Sequence, residues 1–467
     1  MIMSIALVNR VNWTDADFGW QNKAGAYMVE HQQILSDDVF SWLNQNQKTT
    51  WYNMEWLSEI VMHLCSGTAL TYYLLTIVIT MVILLCTYWL IRDNLTKLNA
   101  GSTVGFMFLT FSALIFICMR PYMFALLFFA LELGIFEKLY RNPNSKAVYI
   151  LPFLSILWMN MHGGSAVLFY IVAAIYVISG LFNFTWFSII GIKRRDNHFY
   201  KQVVIIAISV LCMLINPYGA QLLKYPYVNM FDRQMTSYII EWRCPSIKNW
   251  PDIIVYVVIV LIIGFIFIQR EKLIELRDLL LAVFFIGITL VSIRHYMFLW
   301  IVAFLLISKY MPSRKQEQRK GYYKLAIYLW IFVDVLLISC QLTTPVTYQT
   351  AISAEMISSI KEYEPKRLYN SYDMGGMLIY HDIPVFIDGR YELYAKYTFE
   401  DYYTIYHMKD GAVDMIESYQ FDAFLIDHGS SIDYYLKRND QYRLLKTDEI
   451  SGTNLYVPIN QSKITGG

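Results

Sequence analysis

Leu64-Cys-Ser-Gly-Thr-Ala-Leu-Thr-Tyr-Tyr-Leu-Leu-Thr-Ile-Val-Ile-Thr-Met-Val-Ile-Leu-Leu-Cys-Thr-Tyr-Trp-Leu-Ile91 runs for 28 residues without a formal charge. At about 1.5 Å of rise per residue, a helix over this stretch crosses a hydrocarbon core of roughly 30 Å. Further apolar runs lie at about 100–118, 122–139, 147–160, 164–183, 200–216, 252–269, 278–293, 296–310 and 324–341. The pattern predicts a polytopic α-helical membrane protein with about ten transmembrane helices.

Composition agrees with that class. Of 467 residues, 56% are hydrophobic and 16% charged, against roughly 25% charged in soluble domains. Disorder, collagen and a disulfide scaffold are excluded, and an ordinary soluble enzyme fits poorly. The six cysteines are scattered without a CxxC pair, so no disulfide framework or zinc site is readable. The net charge of +1 hides a split: residues 1–344 hold 27 Lys and Arg against 19 Asp and Glu, and residues 345–467 hold 11 against 18. The reading is an extracytoplasmic N-terminal segment with an acidic loop (1–66), a transmembrane domain (67–341) and an extracytoplasmic α/β domain (342–467).

Loop charge sets the expected orientation. Alternate loops hold 18 basic residues, among them Arg141, Arg194, Arg277 and Lys309, and the intervening ones six: Arg120, Lys224, Arg233, Arg243, Lys248 and Arg294. The positive-inside rule places the first set in the cytoplasm. The apolar run Ile2–Val8 before Asn9 is too short to span, so the expectation is either that a first helix has been lost or mis-started or that the N-terminus is translocated unaided.

Polar groups near a bilayer are costly, and their clusters suggest function. They gather on the outward side. Asp15 and Asp17, two residues apart, can hold a divalent cation or supply a base, or they are simply solvated loop acids. Arg120 and Arg294 suit a phosphate, which takes bidentate guanidinium contacts, or they anchor helix ends. Asn160 and His162, before two glycines, mark a helix break. Glu241 and Arg243 lie in the largest outward loop, and His295 follows Arg294 between two spans. Glu132 and Asp334 lie within spans with no assigned role.

Beyond Cys340, helical periodicity appears at 352–362, 398–408 and 411–419. Strand-like runs appear at 367–372, 377–380, 384–387, 421–426, 443–446 and 455–458. Asp388-Gly389-Arg390 follows one apolar run, where strand-end loops of α/β sheets bind ligands. The alternative is an Asp–Arg pair holding a turn. There is no GxGxxG, P-loop or GxSxG sequence, and no nucleic-acid module.

The early acid pair, Glu55-Trp56-Leu57, Arg120-Pro121, Trp158-Met-Asn160-Met-His162-Gly163, Asn216-Pro217-Tyr218-Gly219, Glu241-Trp242 and Ile387-Asp388-Gly389-Arg390 together resemble a family of bacterial multi-pass membrane proteins. That family is similar to the GT-C superfamily of glycosyltransferases. The resemblance implies transfer of a sugar from a polyprenyl-phosphate carrier to a cell-envelope glycan or protein on the outer face of the bacterial membrane. It implies Asp15 and Asp17 as catalytic acids, with a divalent cation as a further option. Arg120, Asn160, His162, Glu241, Arg243, Arg294, His295, Asp388 and Arg390 stand as candidate substrate-binding residues. A transporter or flippase of a lipid-linked saccharide and a non-enzymatic envelope scaffold are the alternatives. No internal repeat of the transporter kind is visible.

Overall fold

A computed structural model describes residues 16–43, 50–94, 109, 119–194, 197–230, 240–268, 273–310, 352–394 and 398–459. In chain order the elements are α1 (Phe18–His31), α2 (Trp56–Cys65), α3 (Ala69–Ile91), α4 (Tyr122–Arg141), α5 (Leu151–Met161) and α6 (Val167–Ser179). There follow β1 (Phe184–Trp186), β2 (Ile189–Gly191), α7 (Asn197–Cys212), α8 (Ala220–Met230), α9 (Trp250–Ile268), β3 (Ile274–Glu275), α10 (Leu276–Val291) and α11 (Tyr296–Tyr310). The last part holds α12 (Ala354–Tyr363), β4 (Leu368–Asn370), α13 (Gly375–Tyr380), α14 (Tyr391–Tyr394), α15 (Thr398–Tyr406), α16 (Ala412–Tyr419), β5 (Ala423–Asp427), α17 (Ser431–Arg438), β6 (Tyr442–Asp448) and β7 (Thr453–Pro458). The chain divides into two compact units. One lies within residues 70–346, and the other joins 14–69 to 347–467.

In the first unit the expected number of spans is corrected. Among the described residues, three helices are long and apolar enough to cross a membrane: Ala69–Ile91, Trp250–Phe267 and Ile293–Tyr310. These are compatible with a membrane protein and fall well short of ten. Apolar runs and unbroken helices are different things. The runs at 147–160 and 164–183 become helices of 11 and 13 residues, parted at His162, and about 18 residues are needed to span. α4 has 20 residues but carries Glu132, Glu137, Lys138 and Arg141. The expected spans at 100–118 and 324–341 lie outside the described residues, apart from Leu109. α11 is central, with 83% of its apolar window buried, whereas α9 buries only 33% of its own. A helix apolar on all sides belongs inside a bundle, and one with an exposed apolar side suits lipid. The short sheet β1–β2–β3 pairs β2 with β1 antiparallel and with β3 parallel.

The second unit is a four-stranded sheet, order β4-β5-β7-β6, with β4 and β5 parallel and the other pairs antiparallel. Side chains alternate across a strand, and both faces are covered. Leu368, Ala423, Leu425, Leu455 and Val457 pack with α12 and with Trp20, Ala24, Met28, Leu35 and Trp51 of the N-terminal segment. On the other face Tyr369 and Phe424 join Phe386, Phe421 and Tyr402 in an aromatic layer. Residues 16–43 and 50–66 are thus one wall of the α/β layer. The apolar run 377–380 forms the helix α13 rather than a strand, because a short buried run does not reveal its own period. The run 384–387 contributes one isolated bridge, Val385 to Ser41.

Candidate functional site

Three helices of the first unit begin beside one another. Tyr122 opens α4. Its ring lies 6.3 Å from that of His162, which caps the turn leading into α6, and 5.5 Å from that of Phe298 in the first turn of α11. His162 holds that turn through its Nδ1, 3.2 Å from the Ser165 amide that donates to it and 2.7 Å from Ser165 Oγ. The first N–H groups of a helix have no acceptor within it, and each start carries partial positive charge. Three such ends meeting in one place favour an anion.

Charged side chains complete the place. Arg120 lies just before α4, and its Nη1 pairs with Glu241 Oε1. Arg294 lies in the 3-10 turn that opens α11, with its guanidinium carbon 5.2 Å from the centre of the Trp242 ring. Among the described residues no carboxylate lies within ion-pair distance of Arg294. The segment bearing Glu241 is tied down by Ser292 Oγ donating to the Glu241 carbonyl (3.1 Å) and the Ile293 amide donating to the Arg243 carbonyl (3.1 Å). Burial pushes the Glu241 carboxyl up, but the guanidiniums of Arg120 and Arg294 outweigh it and hold it below the usual carboxylate range. Among the described residues, two guanidiniums and one carboxylate leave a surplus of positive charge. The Tyr122 hydroxyl and the Trp242 Nε1 are buried, and neither has an acceptor among the described residues. The arrangement therefore offers donors and positive charge with few acceptors, which suits an oxyanion.

Other expected residues do structural work nearby. Arg243 grips Asp252 with both Nη atoms, and Asp252 also accepts from the Ser246 amide (2.8 Å) and Asn249 Nδ2 (2.9 Å), which fixes the start of α9. Asn160 Nδ2 donates to the carbonyls of Ile156 (2.8 Å) and Ile215 (2.9 Å) and ties α5 to the segment after α7. His295 sets its ring edge-on to Trp242 at 6.3 Å.

In the second unit the two acidic motifs of the sequence converge. Asp15 lies outside the described residues. Asp17 stands just before α1, where its Oδ1 accepts from Trp20 Nε1 (2.9 Å) and lies against Gly389, leaving no room there for a Cβ. Arg390 is wholly buried. Its Nε donates to Asp388 Oδ1 (2.8 Å), its Nη2 to Asp388 Oδ2 (2.6 Å) and its Nη1 to Asp38 Oδ1 (2.8 Å). The rings of Phe40 and Trp51 lie 5.1 and 5.0 Å from its guanidinium. Asp388 and Arg390 thus spend their hydrogen bonds on one another, on Asp38 and on Tyr394, and bind the N-terminal segment to the turn at Gly389. Among the described residues no group of three His, Cys, Asp or Glu side chains is placed to hold a metal ion.

Sequence reading missed two things. Tyr122 and Trp242 were lost among 37 tyrosines and 12 tryptophans, and only their position beside Arg294 sets them apart. The second is a buried charge cluster at the other ends of α4, α10 and α11. Lys309 Nζ pairs with Glu137 (3.0 Å) and Asp278 (2.9 Å), Arg277 Nη2 pairs with Glu137 (3.1 Å), and Tyr310 donates to Asp278 (2.9 Å). Read from sequence, Arg277 and Lys309 were orientation signals; here they also lock three helices together. The chain matches no protein-family model, and no curated protein matches it.

Proposed function

We propose that the chain is a membrane glycosyltransferase, which moves a sugar from a polyprenyl-phosphate-linked donor to a cell-envelope acceptor outside the cytoplasm. One observation carries the reading: Arg120, His162, Glu241 and Arg294, from four separate segments, converge where α4, α6 and α11 begin. A sugar leaving a phosphate needs positive charge where the leaving group gathers negative charge, and fixed donors there lower the barrier by a large amount. Arg294, with no carboxylate at ion-pair distance among the described residues, is the main phosphate contact. Arg120 is the second, held in place by Glu241. Exposed apolar flanks on α3 and α9 suit a polyprenyl chain. An acceptor hydroxyl is a poor nucleophile near neutral pH, so the transfer needs a base within hydrogen-bond reach of it.

The test is transfer from a panel of polyprenyl-phosphate sugars by full-length protein in membranes. Arg294→Ala should lower the rate by about a hundredfold, the usual cost of one such stabilising group. Arg294→Lys should retain part of it, because charge survives without the fork. Wild-type transfer by Arg294→Ala would remove the reading.

A further inference from the structure

We infer that Tyr122 and Trp242 bind the same oxyanion as Arg294, as its two neutral hydrogen-bond donors; the inference rests on the phosphate reading above. Both polar atoms are buried, and neither donates to an acceptor among the described residues, although the Met297 backbone approaches the Tyr122 oxygen. A buried donor without an acceptor costs free energy comparable to the loss of a hydrogen bond, so native proteins rarely leave one unmet. Two of them border one cation. Arg294 lies over the Trp242 ring at 5.2 Å, and the Tyr122 ring lies 5.5 Å from that of Phe298, one helical turn on from Arg294.

Two acceptors nearby have partners of their own. Glu241 turns to Arg120, and its backbone carbonyl accepts from Ser292. A phosphate seated against Arg294 would bring oxygen lone pairs to both donors at once. The division of labour is physical. Arg294 supplies charge, which attracts any anion. Tyr122 and Trp242 supply direction, which favours an oxyanion over a halide and fixes how the phosphate is turned. Trp242 also presents its ring face to the guanidinium, which holds Arg294 in place by a cation–π contact.

The experiment is equilibrium binding of undecaprenyl phosphate to full-length protein in detergent, with inorganic phosphate as competitor. Tyr122→Phe keeps the ring and removes the hydroxyl. Trp242→Phe keeps an aromatic face and removes the N–H. Each should weaken binding about tenfold, the scale of one hydrogen bond to a charged group, while thermal unfolding stays near wild type. Competition by inorganic phosphate alone would assign the site to the phosphate group, and its failure would assign it to the lipid phosphate as a whole. Undiminished binding by both variants, with Arg294→Ala weakened, overturns the role of Tyr122 and Trp242 and leaves the phosphate reading standing. Undiminished binding by Arg294→Ala overturns the phosphate reading itself.

Discussion

Arg294 and Arg390 each lie beside aromatic rings, and burial separates their roles. Arg390 has no exposed surface and saturates its guanidinium on Asp388 and Asp38. Arg390→Ala would leave two carboxylates buried without their cation, and the loss should be about 3–5 kcal/mol in the unfolding of the second unit. Chemical denaturation of the full chain measures it. Among the described residues Arg294 has no ion pair, so Arg294→Ala loses its contact with the Trp242 ring and should shift stability by about 1 kcal/mol or less. Glu59 is a third case at this scale. It is fully buried, and burial pushes its carboxyl well up; the hydrogen bond from Asn53 Nδ2 (2.6 Å) and the charge of Arg390 offset this only in part, and Glu55 adds to the rise. The folded state therefore holds this proton more tightly than the unfolded chain. Stability from Glu59 is fully present below the ordinary glutamic acid range and is lost as pH rises toward the raised value. Glu59→Gln should flatten that loss, and a wild-type slope of stability against pH in the variant would refute the assignment.

At the scale of elements, close approach explains the placement of α1. A Cβ at Gly19 would strike the carbonyl of Gly376 in α13, and one at Gly376 would strike the carbonyl of Ala16. The two backbones meet with no side chain between them. Gly19→Ala or Gly376→Ala should cost about 1–3 kcal/mol as overpacking, whereas Gly287→Ala, with nothing within 4 Å, should not destabilise. Paired thermal melts of the three variants decide this. The glycines were visible in the sequence, but a glycine does not announce which backbone will approach it. α13 shows the same limit. Met377–Tyr380 is apolar whether it forms helix or strand, and its packing on α1 settled the matter. α12, α15 and α16 were legible at Ala354–Tyr363, Thr398–Tyr406 and Ala412–Tyr419, because each presents one apolar side at helical spacing.

At the scale of the molecule, the second unit is discontinuous in sequence. Trp20, Ala24, Met28, Leu35 and Trp51 fill one side of a core whose sheet comes from residues beyond 367. Burying one large apolar side chain contributes about 1.5–3 kcal/mol, and a domain's whole stability is about 5–15 kcal/mol. Removal of residues 16–66 should therefore leave the C-terminal part without a cooperative unfolding transition, while supplying that segment in fusion restores one. Circular dichroism melts of both chains check this, and a sharp transition in the truncated chain would contradict it.

The sequence alone determined the apolar character of the first part, the acidic C-terminal region and most of its helices and strands, because apolar content and short-range period are local properties. Tertiary structure decided what those properties do not encode. Arg390 meets Asp38 across 352 positions, and Arg120 meets Glu241 across 121. No local pattern distinguishes an arginine that will be locked in a core from one left beside three helix starts. The count of long helices was decided in the same way. Hydropathy sums over a window, but a helix ends where its backbone finds other partners, as at His162.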